Sequence, residues 1–162
     1  RQLFSTVENL GQEKPLWAAK RIGTVNPTVR VVPVCEYFTE HNASMLLNGQ
    51  DVAVDALDNG KSRILLAAAA RKLGIPLVSG AIGGWHGRVF VLGPNDSADF
   101  LWENGDGGAS PGNLSCTAAC VASIQAAETA KVLLSRTGII KNRMLELDLL
   151  SGRWEEIPLN FS

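Results

Sequence analysis

Residues 51–63 read DVAVDALDNGKSR, an apolar run that leads into Asp58 and Asn59, with Arg63 about one helical turn further on. An Asp at the carboxyl end of a parallel strand lies where open α/β sheets bind ligands. Its carboxylate can hold a cation, and a guanidinium one turn away can contact an anion. The stretch therefore suits a nucleotide and its metal. The alternative is that Asp58 is a helix N-cap and Arg63 a solvated helix residue.

The elements that must position these side chains alternate between strands and helices. Apolar spacing predicts helices at 15–22, 43–48, 61–73 and 117–135, the second with Asn42 as its cap. Branched or apolar runs predict strands at 29–37, 51–56, 77–81, 88–92, 144–150 and 153–157. A βαβα order followed by antiparallel strands predicts an α/β fold with a mixed sheet.

Residues 93–113 contain five glycines, two prolines and several acidic residues. A run of this composition is expected to bury little side chain. We predict that 93–115 forms a flexible surface loop or a crossover segment.

Composition limits the classes of partner. The 162 residues are 46% hydrophobic, which predicts one folded domain, and the formal net charge of −1 gives no attraction to nucleic acid or to an anionic membrane. No apolar stretch reaches the length needed to cross a bilayer. Because residue 1 is Arg rather than Met, we expect the sequence to be a fragment.

The three cysteines, Cys35, Cys116 and Cys120, are odd in number and lack CxxC spacing. This pattern argues against a disulfide framework and against a four-thiolate zinc site, and it favours a reducing cytoplasm. Cys116 and Cys120 lie near the start of the predicted helix at 117–135. There the helix dipole could activate the Cys116 thiol, although small apolar packing is the favoured interpretation.

Several short motifs occur in a characteristic order along the chain: Arg1-Gln2, Gly11-Gln-Glu-Lys14, Val25-Asn-Pro27, the run from Asp51 to Asn59, Arg63, Gly74-Ile-Pro-Leu-Val-Ser-Gly-Ala81 and Ile124-Gln-Ala-Ala-Glu128. Together they resemble the ThiF/MoeB/HesA family of ubiquitin-activating-type adenylyltransferases over nearly the whole chain. The resemblance implies a Rossmann-like, mixed, mainly parallel sheet with flanking helices and antiparallel strands at its carboxyl end. It also implies a homodimer.

The implied reaction is ATP-dependent adenylation of a carboxylate, typically the C-terminal glycine of a ubiquitin-like sulfur carrier serving thiamine or molybdopterin synthesis. By this resemblance Arg1 and Lys14 contact phosphates, and Gln2 helps to shape that pocket. The alternative for Arg1 and Lys14 is an ordinary surface position.

On the metal side of the implied site, Asp58 holds Mg²⁺ and Asn59 lines the same pocket. Arg63 braces Asp58 or the nucleotide. Mg²⁺ prefers one or two carboxylates together with phosphate oxygens and water, which suits a single Asp. Asp55 is expected to be structural rather than ligating, because strand alternation turns it away from Asp58.

The chain also departs from the family. It has no G-x-G-x-x-G turn to cradle phosphate, so we expect the amino-terminal nucleotide-binding half to be missing, and this fragment alone to bind ATP poorly and to be inactive. That half could be lost by processing, be supplied by another chain or be absent from the given sequence. The family's two CxxC pairs are absent, so no zinc is predicted, and residues 93–115 lack a loop cysteine for a thioester or persulfide step.

Two other functions stay open at this stage. The first is a non-catalytic ThiF-like partner subunit or carrier-binding scaffold that keeps the fold without the chemistry. The second is a dinucleotide-dependent oxidoreductase, because its nucleotide fold also alternates strands and helices.

Overall fold

A computed structural model describes residues 4–97, 100–103 and 112–159, with the side chains of residues 100 and 103 left out. Contacts divide the chain into two compact units, Arg1–Tyr37 and Phe38–Ser162.

The first unit contains a short 3₁₀ helix, Val7–Asn9, and helix α1, Lys14–Val25. The helix predicted at 15–22 is thus confirmed, with Pro15 in its first turn. The strand predicted at 29–37 is wrong, since these residues have no regular secondary structure. Branched residues favour a strand only where a neighbouring strand completes the ladder, and Pro33 has no N–H to donate to one.

The second unit holds the remaining elements in the order α2 (Glu40–Leu47), β1 (Ala53–Asp55), α3 (Gly60–Lys72), β2 (Leu77–Gly83), β3 (His86–Leu92), α4 (Phe100–Glu103), α5 (Ser115–Leu133), β4 (Arg143–Asp148) and β5 (Arg153–Pro158). The N-cap of α2 is Thr39 rather than the predicted Asn42, whose side chain instead accepts a 2.8 Å hydrogen bond from the Thr39 N–H. No helix in the described ranges is both long enough and apolar enough to span a bilayer.

The five described strands form one sheet in the order β1-β2-β3-β4-β5. The predicted α/β fold with a mixed sheet is confirmed, but the expectation of a mainly parallel sheet needs correction. Among the described strands only β1 and β2 pair in parallel, and the other three pairings are antiparallel. Residues 84–85 join β2 to β3 and 149–152 join β4 to β5, and such short links permit only antiparallel neighbours.

Strand β5 ends the sheet and carries charge along its length. Arg153 and Glu155 pair within the strand at 2.8 Å, and Glu156 pairs with Arg143 of β4 at 3.4 Å. The strand closes on Pro158, which has no N–H to offer.

Apolar residues cover both faces of the sheet. On one face, Phe90, Leu92 and Met144 pack with residues of α3 and with Trp102 of α4. On the other face, Val121 of α5 packs against Val89 and Leu147.

The segment predicted to bury little contributes to this core. Trp102 is only 4% exposed, and its ring centroid lies 5.8 Å from that of Phe90. That part of the expectation for 93–113 is wrong, because a single aromatic residue carries enough apolar surface to anchor a short helix. Residues 98–99 and 104–111 lie outside the described residues, so the predicted flexibility of 93–115 stays a prediction.

The central position of Phe90 gives a test of this core. Substitution Phe90→Ala is expected to lower the free energy of unfolding by about 3–5 kcal/mol, because a fully buried ring leaves a cavity against Trp102. Urea unfolding followed by circular dichroism measures the change. Leu150→Ala, at a side chain that is 70% exposed, is the control and should shift stability by less than about 0.5 kcal/mol. Equal effects of the two substitutions would contradict the packing described.

Candidate functional site

Asp55, the last residue of β1, is the centre of a buried polar cluster at the carboxyl end of that strand. It is 1% exposed, and its carboxylate accepts hydrogen bonds from the Ser79 hydroxyl at 2.7 Å and from the Leu57 N–H at 2.9 Å. The Arg63 guanidinium lies 3.3 Å away, Nη1 to Oδ2. A buried carboxylate is tolerated when it is paired and hydrogen-bonded, and Asp55 has both kinds of partner.

Arg63 reaches this cluster from the first turns of α3, and its side chain is 11% exposed. In addition to Asp55, it donates to the backbone carbonyls of Gly80, at 3.0 Å, and Leu57. One guanidinium therefore joins α3, the end of β1 and β2.

Asp58 and Asn59 lie just beyond β1 and are exposed. Asn59 is the N-cap of α3: its side-chain oxygen accepts from the Ser62 N–H at 2.9 Å, and its amide donates to Asp58 Oδ1 at 3.2 Å. The alternative that Asp58 is the N-cap is therefore wrong. None of the ion pairs formed by the described residues includes Asp58, and its side chain is exposed to a ligand from solvent.

This arrangement corrects the predicted role of Arg63. The guanidinium contacts Asp55 rather than Asp58, because its helix face packs toward β2 while Asp58 stands at the exposed end of the helix. The interpretation of Asp55 as structural is confirmed by its burial and its three partners. Contact of Arg63 with a nucleotide stays a prediction.

The chemistry of the donors fits a magnesium ion that is shared with a phosphate ligand. In the described part of the chain, no three His, Cys, Asp or Glu side chains gather closely enough to hold a metal ion. Mg²⁺ keeps several waters and is usually bound through one or two carboxylates together with substrate phosphates. An exposed Asp58 beside the Asn59 cap meets that requirement.

The residues predicted to contact phosphate are only partly described. Arg1 and Gln2 lie outside the described residues. Lys14 begins α1 in the first unit and is exposed, as a phosphate contact requires. That unit also contains a cavity of about 400 Å³, where Lys20 Nζ lies 4.5 Å from the centroid of the Trp17 ring. The convergence of Arg1, Gln2 and Lys14 on one nucleotide stays a prediction.

Gln125 had no predicted role, yet it contacts this site from α5. The residue is 7% exposed on α5, and its amide nitrogen donates to the backbone carbonyls of Asp55 at 2.7 Å and Val78 at 3.3 Å. Two features of the sequence could have indicated this contact. Gln125 is a single amide on an alanine-rich helix, and Gly80 is a glycine inside a strand, where another group can approach the backbone closely.

A second overlooked residue is Arg88 of β3, which faces Glu146 of β4 across the sheet. Both line an open cavity of about 270 Å³ whose floor includes Ala81 and Gly83 of β2. Burial lowers the pKa of Arg88 from its ordinary value, and the charge of Arg63 lowers it further, against the opposing effect of Glu146. A guanidinium stays protonated at neutral pH in proteins, so Arg88 gives this cavity a cationic group beside the carboxyl group of Glu146.

The two cysteines of α5 have different environments. Cys116 is exposed, so the packing interpretation is wrong for it: it lies on the outer face of the first turn of α5, whereas the adjacent Thr117 is fully buried. Cys120 is half-buried and packs beside Val121.

With this geometry described, comparison with known proteins identifies the family. The sequence profile of the ThiF family matches residues 1–162. The chain belongs to the ThiF family.

Two curated relatives match this ThiF-family chain over 98% of its length. The Sulfur carrier protein adenylyltransferase of Thermus thermophilus is 35% identical, and the SAMP-activating enzyme E1 of Haloferax volcanii is 33% identical. The chain spans 64% of the first relative and 61% of the second, slightly under two thirds of each.

Solved structures agree on the fold. The crystal structure of E. coli MccB with ATP superposes with a TM-score of 0.84 at 12% identity, covering 100% of this chain and 52% of the other. The structure of PaaA gives a TM-score of 0.80 at 15% identity, with the same coverage. At these identities the likeness establishes a ThiF-type fold for the ThiF-family chain.

The two aspartates at this site allow a matched test of the buried pair. Asp55→Ala is expected to lower the free energy of unfolding by about 3–5 kcal/mol, because it leaves the Arg63 charge buried without its partner. Asp58→Ala removes an exposed carboxylate and should change stability by less than about 0.5 kcal/mol. Chemical unfolding of both variants measures the difference, and a reversed order would show that the two roles are exchanged.

Proposed function

We propose that this chain is part of an ATP-dependent adenylyltransferase that activates the C-terminal glycine of a ubiquitin-like sulfur-carrier protein. The observation that carries the proposal is the exposed Asp58 carboxylate, which immediately precedes the N-cap of α3 and follows the buried Asp55–Arg63 pair at the end of β1. Membership of the ThiF family and the names of the two curated relatives support the choice of reaction and of carrier.

The proposed reaction joins two anions. A carboxylate oxygen of the carrier attacks the α-phosphorus of ATP in line, the new C–O–P bond forms, and the bond to the β-phosphate oxygen breaks, so that pyrophosphate leaves with its electron pair. Charge on the triphosphate must be neutralised before the second anion can approach, and fixed cations do this without reorganisation.

In this scheme Asp58 holds Mg²⁺, and Asn59 lines the pocket while its side chain orients Asp58. Bound Mg²⁺ supplies neutralisation of phosphate charge. Arg63 keeps the Asp55–Leu57 segment fixed, and we also assign it a contact with the nucleotide.

On the phosphate side we assign contacts to Arg1 and Lys14, with Gln2 shaping the pocket. Arg forms forked contacts with phosphate oxygens and Lys supplies a point charge, so the two complement each other.

The complete site needs more than these residues, because the glycine-rich phosphate turn typical of nucleotide-binding folds is not in the sequence. We propose that an amino-terminal segment or another chain supplies it, and that the protein forms a homodimer. A cytoplasmic location agrees with the free thiols Cys35, Cys116 and Cys120.

The metal role of Asp58 can be tested in the full-length gene product by ATP–pyrophosphate exchange with Mg-ATP and a carrier ending in glycine. Asp58→Ala is expected to reduce the exchange rate by about 100-fold or more, because phosphate charge is no longer neutralised at that point.

Asp51→Ala is the matched control, since Asp51 is an exposed carboxylate near the start of the same strand and should leave exchange unchanged. Exchange that persists in the Asp58 variant would contradict the metal role. No exchange in the unmodified protein, together with retained binding of a carrier, would favour the non-catalytic partner subunit.

The phosphate role of Lys14 predicts a different kinetic effect. Lys14→Met is expected to raise the KM for Mg-ATP about tenfold, the effect of losing one charged hydrogen bond, while folding is preserved. Lys72→Met, an exposed lysine in the last turn of α3, is the control. Equal KM values for the two variants would place Lys14 on the ordinary surface.

A further inference from the structure

We infer that Gln125 is a positioning residue that fixes the segment carrying Asp58 by joining α5 to the carboxyl end of β1 and to β2. Its catalytic consequence rests on the function proposed above, whereas its structural consequence does not.

The parallel pairing of β1 and β2 stops at Asp55, which lies opposite Ser79. Asp55 is buried, so its backbone carbonyl needs a hydrogen-bond donor at the point where the strand pairing ends. The Gln125 amide provides that partner at 2.7 Å and also reaches the carbonyl of Val78 on the neighbouring strand. One side-chain amide thus joins the two strands where the sheet opens.

Gly80 shows how closely this amide is fitted. A Cβ atom added at Gly80 would lie 2.4 Å from Gln125 Cδ and 2.6 Å from its side-chain oxygen. Real Cβ atoms do not approach other atoms this closely, so the amide occupies the space that any larger residue at position 80 would need.

The Gly80 carbonyl accepts from Arg63 at 3.0 Å, so residue 80 lies between the α5 amide and the α3 guanidinium. The segment that follows β1 is consequently held by both helices: Arg63 holds the Asp55 carboxylate and Gln125 holds the Asp55 backbone. Asp58 follows three residues later, so loosening either contact should change where its carboxylate stands.

Two measurements test the role of Gln125 in the full-length gene product. Gln125→Leu removes both hydrogen bonds at similar volume. Hydrogen exchange read by mass spectrometry on a peptide covering 54–59 is expected to become about tenfold faster, because a buried carbonyl is left unpaired at the strand end. ATP–pyrophosphate exchange at saturating Mg-ATP is expected to fall about 10- to 100-fold, the effect of misplacing a reacting group.

Glu128→Leu is the control on the same helix, because Glu128 is also buried but contacts the Ile140 N–H and Lys131 instead. It should speed hydrogen exchange near residue 140 and leave 54–59 unchanged. If Gln125→Leu and Glu128→Leu affect 54–59 equally, Gln125 merely stabilises α5 and the inference fails.

A double substitution keeps the inference testable if Gln125→Leu does not fold. Gly80→Ala alone should destabilise the protein through its clash with Gln125, whereas Gly80→Ala combined with Gln125→Ala should recover part of that loss, because the added methyl enters the space left by the amide. Additive effects on stability would overturn the proposed fit. A second outcome separates the two claims. If hydrogen exchange responds as expected but neither the unmodified protein nor any variant catalyses pyrophosphate exchange, the positioning role is upheld and the proposed function is rejected.

Discussion

The ion pair between Asp55 and Arg63 is the interaction on which the carboxyl end of β1 depends. Asp55 is almost completely inaccessible, so its charge is tolerable only because a guanidinium, a hydroxyl and a backbone N–H surround it. The same guanidinium satisfies two backbone carbonyls from different elements. Such a network specifies one arrangement of strand, loop and helix, since no member can move without leaving another unpaired.

Two nearby aspartates, Asp55 and Asp58, differ in their surroundings: the first is buried in this network and the second is exposed. The Asp55 carboxylate forms its hydrogen bonds with groups inside the protein. The described hydrogen bond of the Asp58 carboxylate is with the side-chain amide of the neighbouring Asn59. The proposed metal role of Asp58 requires a carboxylate that can exchange partners while its surroundings stay fixed. The α3 cap and the α5 amide supply that fixed frame from two sides of the sheet.

Local patterns predicted much of this structure, and non-local contacts account for what they missed. The helix predicted at 61–73 follows from the helix propensity of its residues, and its end follows from the helix-terminating residues Gly74-Ile-Pro76. The partner of Arg63 could not be predicted in this way, because it depends on how β2 brings Ser79 and Gly80 beside β1. The pairing directions of the later strands, the burial of Trp102 and the irregular conformation of 29–37 likewise depend on neighbours that are distant in sequence.

The two edge strands of the sheet, β1 and β5, differ in how readily each can pair with a further strand. Strand β5 carries the charged residues Arg153, Glu155 and Glu156 and ends at Pro158, features that discourage an incoming strand from hydrogen-bonding there. At the opposite border, β1 is short, has only β2 as a neighbour among the described strands, and leaves Val54 46% exposed. A strand that enlarges this sheet is therefore directed to β1, the border whose carboxyl end leads into Asp58.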